Sequence, residues 1–115
     1  MKLGEIIKIV NGKVLTNKAN LDLDITACGA SDLMSDVLAF TKPRCILLTG
    51  LVHPQAIRTS EIADLAAIIF VRGKTPGRDT IDLAEELHIP LIGSSYGMYE
   101  MCGRLYQAGL EPVMK

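Results

Sequence analysis

Three short, wholly apolar runs, each closed by a glycine, limit what this chain can fold into more than any other feature. They are Cys45-Ile46-Leu47-Leu48 before Thr49-Gly50, Ala67 to Val71 before Arg72-Gly73, and Pro90-Leu91-Ile92 before Gly93-Ser94-Ser95. Runs this short, with no polar alternation, fit strands that are covered on both faces. Between them, Pro54 to Asp64 and Arg78 to His88 read as helices, the second with Ile81, Leu83, Ala84 and Leu87 apolar. A helix between two buried strands is a crossover connection, so the strands should be parallel with helices on both faces. The expectation is a three-layer α/β/α domain with a mainly parallel sheet of about four strands.

The flanks add detail. Leu3, Ile6, Ile7 and Val10 have the spacing of one helix face, ended by Asn11-Gly12. Lys13-Val14-Leu15 reads as a short edge strand. Leu21, Leu23 and Ile25 alternate with Asp22, Asp24 and Thr26, which predicts a half-exposed strand running into Ala27-Cys28. Ser31 is placed to cap a helix that turns Leu33, Val37, Leu38 and Phe40 inward and stops before Pro43. Tyr96 to Ala108 forms a closing helix, with Gly109 at its C-terminal cap. No linker or repeat divides residues 1–115, so one domain is expected.

Charge and cysteine content narrow the function classes. Twelve Lys+Arg against thirteen Asp+Glu give a net charge of -1, without the basic excess that nucleic-acid binding or an anionic membrane surface draws on. Cys28, Cys45 and Cys102 are odd in number and form no CxxC pair, so metal and redox motifs lack support and three reduced thiols are expected. The N-terminus, Met-Lys-Leu-Gly-Glu, has no apolar core of the signal-peptide kind, and the longest mainly apolar stretch, Leu65 to Val71, is far short of a membrane span. The expected location is the cytoplasm, with no cofactor.

In an open parallel sheet, ligands bind beyond the carboxyl ends of the strands. Three loops of this chain belong to that rim. They bring together Thr49, Gly50 and His53; Arg72, Gly73, Lys74, Gly77 and Arg78; and Ser94 and Ser95. Glycine admits a ligand to the backbone, and Arg72, Lys74 and Arg78 would add charge-assisted donors, so the rim suits an anionic or phosphate-bearing ligand. The same residues are also ordinary turn and capping chemistry. Gly73-Lys74-Thr75 is not a phosphate loop, because Ile68 stands where its first glycine belongs. No GxGxxG occurs. His53 is the better acid–base candidate of the two histidines, since His88 ends a helix.

The closing helix is unusual. Met98, Tyr99, Met101, Cys102, Leu105 and Tyr106 wrap most of its circumference. A helix apolar nearly all round is buried on more than one side, and Met and Tyr suit contacts between proteins. These residues are the candidate interface of a homodimer, unless the N-terminal helix covers them.

The ordered set Gly29-Ala30-Ser31, Leu48-Thr49-Gly50, Val71-Arg72-Gly73 with Pro76, and Pro90-Leu91-Ile92…Ser95-Tyr96 resembles the DRTGG domain family across roughly residues 23–110. The chain departs from that family at Leu51, Val52 and His53, where Asp-Arg is sought, and at Lys74, where a second glycine often stands. The resemblance implies a fold similar to the N-terminal domain of HPr kinase/phosphorylase. It also implies a non-catalytic module of the kind found in some phosphotransacetylases and CBS-domain pyrophosphatases. Three readings follow: a stand-alone regulatory module, homodimeric and acting on a partner protein in trans; a sensor of a phosphate-bearing ligand or nucleotide at the rim; and, third, a small phosphoryl-handling enzyme using His53.

Overall fold

Strand register explains how the apolar runs are buried. In the computed structural model, which describes residues 1–113, β3 (Ile46–Thr49), β4 (Ala67–Phe70) and β5 (Leu91–Gly93) lie side by side and parallel, with Leu47 opposite Ile68 and Ile69 opposite Ile92. Successive side chains leave opposite faces of a strand. Ile46, Leu48, Ile69 and Ile92 therefore enter one core, while Leu47, Ile68, Phe70 and Leu91 enter the other. The first core is covered by α1 (Leu3–Ile9) and α5 (Met98–Gln107), through Leu3, Ile6, Met101 and Leu105. The second is covered by α2 (Met34–Phe40), α3 (Pro54–Ile62) and α4 (Arg78–Glu86), through Met34, Val37, Ala56, Ile57 and Ala84. The architecture is the three-layer α/β/α sandwich expected.

The sheet has six strands where about four were expected, in the order β1-β5-β4-β3-β2-β6. β1 (Lys13–Val14) is the antiparallel edge on β5, and β6 (Glu111–Pro112) is a parallel edge on β2 (Ala27–Ala30). β1 is the short edge strand expected at Lys13-Val14-Leu15, whereas β6, two residues long, is too short to carry a periodic signal.

Three local expectations are corrected. The alternating segment before Ala27 is not a strand; it turns, and a single bridge joins Asp24 to Lys2. It spans the amino ends of β5, β4 and β3 to carry the chain from one side of the sheet to the other, held by Leu3 N–H on Leu23 O and Gly4 N–H on Leu21 O. Leu33, Leu38 and Phe40 do not face inward: each is about half exposed, and Met34 and Val37 alone anchor α2. Ser31 is not the helix cap; Leu33 holds that position, and the Ser31 hydroxyl accepts the Leu33 N–H at 3.0 Å in a local turn.

Candidate functional site

The three rim loops do meet at the carboxyl edge of the sheet, and they are stitched together there. Gly73 N–H donates to Ser94 O and Arg72 N–H to Tyr96 O, at 2.8 and 2.7 Å, tying the loop after β4 to the loop after β5. Ser94 is buried; its hydroxyl donates to Val10 O at 2.7 Å and accepts Tyr96 N–H at 3.2 Å. Thr80 Oγ1 donates to Val52 O at 3.1 Å, joining α4 to the loop after β3. The N–H groups of Arg72, Gly73 and Lys74 are thus already satisfied within the fold.

Those side chains are unequal. Arg78 pairs with Asp82 at 3.0 Å and Glu85 at 3.9 Å along its own helix. Arg72 and Lys74 have no ion-pair partner among the described residues. Gly77 sits at the N-cap of α4, and Ser95 is exposed beside Ser94. His53 is exposed at the N-cap of α3, its side chain making no capping bond. Among the described residues, no three His, Cys, Asp or Glu groups gather in a way that could hold a metal ion.

Asp32 is the rim residue that motif reading misses. Its Oδ1 accepts the Gly50 N–H at 2.6 Å and the Thr49 hydroxyl at 2.9 Å, and Thr49 Oγ1 in turn accepts Leu51 N–H at 3.1 Å. A carboxylate of the chain thus occupies the end of β3 where an anionic ligand was expected. A Cβ on residue 50 would lie 3.2 Å from Asp32 Oδ2, so this close approach favours glycine there. The only sequence signal was register: Ala30 pairs with Leu48, which carries Asp32 to Gly50.

The proposed interface divides in two. Met101 and Leu105 are fully buried in the chain's own first core, because they face the sheet; these two are withdrawn from the interface. The opposite side of α5 presents Tyr99, 95% exposed, and Tyr106, 73% exposed, two turns apart on one stripe. Gly103 stands between them with nothing within 4 Å of where a Cβ would be. Met98 and Cys102 are half-buried at the border. Arg104 packs over the Tyr96 ring, 4.5 Å from its centroid, and binds Glu100 at 2.8 Å, a contact that raises its guanidinium pKa.

The environment of each thiol favours its protonated form. Burial, with Cys102 and Cys45 as lesser contributors, pushes the Cys28 thiol up to about 12; burial also raises Cys45 and Cys102. A separate cavity of about 550 Å³ opens at the opposite end of the sheet, beneath the segment that spans the amino ends of β3 to β5. Among the described residues no helix is long and apolar enough to cross a membrane.

No family model matches the chain. It is 24% identical over 116 residues to the uncharacterized protein YtoI of Bacillus subtilis (strain 168), covering 96% of this chain and 25% of that protein. The chain therefore spans about a quarter of the length of this curated relative. Its fold is similar to that of the CBS and DRTGG domains of the regulatory region of Clostridium perfringens pyrophosphatase, solved with its activator diadenosine tetraphosphate. The TM-score is 0.77 at 16% identity, covering 97% of this chain and 48% of that one, so the DRTGG-like fold expected from the sequence is the fold found.

Proposed function

We propose that this chain is a non-catalytic regulatory module whose working surface is the outward face of α5, through which two copies pair. The observation that carries this reading is the Tyr99–Gly103–Tyr106 stripe. Two large aromatic side chains stand in water on either side of a glycine that no contact within the subunit requires. Glycine in a helix interior is unfavourable by about 1 kcal/mol relative to alanine, so an exposed one fits best where another backbone must come close. Tyrosine on both sides supplies apolar area with a polar tip, the chemistry that interfaces favour. A face of this kind is self-complementary across a two-fold axis. The similarity in fold to a regulatory region of a pyrophosphatase supports the regulatory part of the proposal.

Light scattering on the purified chain tests it. Tyr99→Lys and Tyr106→Lys should shift the mass from dimer to monomer while leaving the far-ultraviolet circular dichroism intact, because both side chains are exposed. A mass that neither substitution changes removes the proposal.

A second reading is favoured by Arg72 and Lys74, which stand without ion-pair partners among the described residues at the carboxyl end of β4. They would take a phosphate-bearing ligand at the rim, and the pyrophosphatase region's nucleotide activator makes diadenosine tetraphosphate the first compound to try. A ligand at 100 times its dissociation constant stabilises the fold by about 2.7 kcal/mol. A thermal shift lost in Arg72→Ala and Lys74→Ala supports the rim; an equal shift in those variants removes it.

A further inference from the structure

The turn that joins α1 to β1 is built from a chemically labile pair of residues. Asn11 takes φ 51°, the left-handed value at which helices commonly end and which asparagine tolerates among side-chain-bearing residues. Gly12 is required for a different reason: a Cβ there would lie 2.7 Å from Cγ2 of Ile92, a fully buried residue of β5. The fold thus favours asparagine followed by glycine at this one place. Asparagine is thermally labile because the next backbone nitrogen can attack its side-chain carbonyl, and glycine, having no side chain, leaves that nitrogen unshielded. Asn17 and Asn20 precede Lys18 and Leu21, whose side chains crowd the attack. Asn11 is exposed, so water reaches its amide. The attacking nitrogen, however, is held: Gly12 N–H donates to Ile7 O at 2.8 Å and Asn11 N–H to Lys8 O at 3.2 Å, the two bonds that close the end of α1. Val10 beside them is fully buried, and its carbonyl accepts the Ser94 hydroxyl at 2.7 Å, so the turn opens infrequently.

We infer that Asn11 is a site of spontaneous modification in the folded protein, at a rate set by the opening of this turn. Gly12 N bonds to Asn11 Cγ, the Cγ–Nδ2 bond breaks, and Nδ2 leaves as ammonia with the Gly12 amide proton. Water then opens the cyclic imide at one of its two carbonyls, leaving aspartate or isoaspartate, with no oxidant or reductant involved. Both products put a carboxylate at residue 11, and isoaspartate also adds a carbon to the main chain next to Val10. The change falls beside the carbonyl that holds Ser94, so the isoaspartyl form loosens the loop after β5. The site owes nothing to the tyrosines of α5 or to Arg72 and Lys74, so it stands or falls apart from both readings above.

Incubation of the full chain for weeks at 37 °C and pH 7.4, folded and in urea, tests it by peptide mass spectrometry and an isoaspartyl methyltransferase assay. Conversion should concentrate at residue 11 in both samples and run at least about tenfold faster in urea, because the folded chain reacts only through its open fraction. Asn11→Gly should abolish the methyl-accepting product while the chain still folds, since glycine is unstrained at φ 51°. The isoaspartyl form, separated by ion exchange, should melt below the parent; equal melting would overturn the effect on Ser94. Equal rates folded and unfolded, a folded chain that stays intact throughout, or Asn17 or Asn20 converting first would each overturn the inference.

Discussion

Replacing Asp32 with alanine removes the one side chain that closes the end of β3. Two hydrogen bonds are lost at once, from Gly50 N–H at 2.6 Å and from the Thr49 hydroxyl at 2.9 Å, and Thr49 is fully buried. A hydrogen bond to a charged group contributes about 1.5–3 kcal/mol. The carboxylate is itself solvent-accessible, which places each bond at the low end of that range, so the pair is worth about 3 kcal/mol. With an unfolding entropy of about 2.1 cal/mol/K per residue, the 115-residue chain should melt about 12 °C lower. Asp32→Asn keeps an acceptor oxygen and loses only the charge, and should cost about 1 kcal/mol. Urea unfolding followed by circular dichroism separates the cases, because the midpoint should fall while the slope stays constant. An Asp32→Ala variant within 0.5 kcal/mol of the parent would refute the reasoning, since it would mean that water replaces the carboxylate without loss.

Other outcomes follow from the same contacts. Gly103→Ala should stabilise an isolated subunit by about 1 kcal/mol and, at the same time, weaken pairing, read by melting at low concentration and by sedimentation. Val37→Ala should cost about 2 kcal/mol in urea unfolding for the two lost methyl groups, whereas Leu38→Ser should stay within about 0.5 kcal/mol because that side chain is half exposed. A thiol held at about 12 against an ordinary 9.0 has about a thousandfold less thiolate below pH 9, so Cys28 should react correspondingly slowly with a disulfide reagent at pH 8. The same raised value means that folding favours the protonated thiol. Its contribution to stability should be complete below pH 9 and disappear as the pH climbs towards 12, and Cys28→Ala should flatten that part of the profile in urea titrations.

How much of this was legible in the sequence depended on the length of the signal. The runs at 45–48, 67–71 and 90–92 are wholly apolar because both faces are covered, the pattern that a central parallel strand gives. The aspartate–leucine alternation before Ala27 imitated a strand because a segment crossing the sheet's end also wets one side and buries the other; Ile25 is buried and Leu21 is exposed without any ladder. In α2 the reading overcounted the inward face, since a helix of two turns packed at the rim of the sheet needs only Met34 and Val37. Burial of Met101 and Leu105 beneath an outward Tyr99 and Tyr106 is the ordinary division of an amphipathic helix, although an all-round apolar composition concealed it. Asp32 was out of reach, for its place at the end of β3 depends on which strands neighbour each other and not on any local spacing.

Sedimentation equilibrium of the unmodified chain between 1 and 100 μM asks the central question without any substitution. Pairing through α5 predicts a mass that rises with concentration from 12.5 kDa towards twice that value. A single species of 12.5 kDa at every concentration would contradict it.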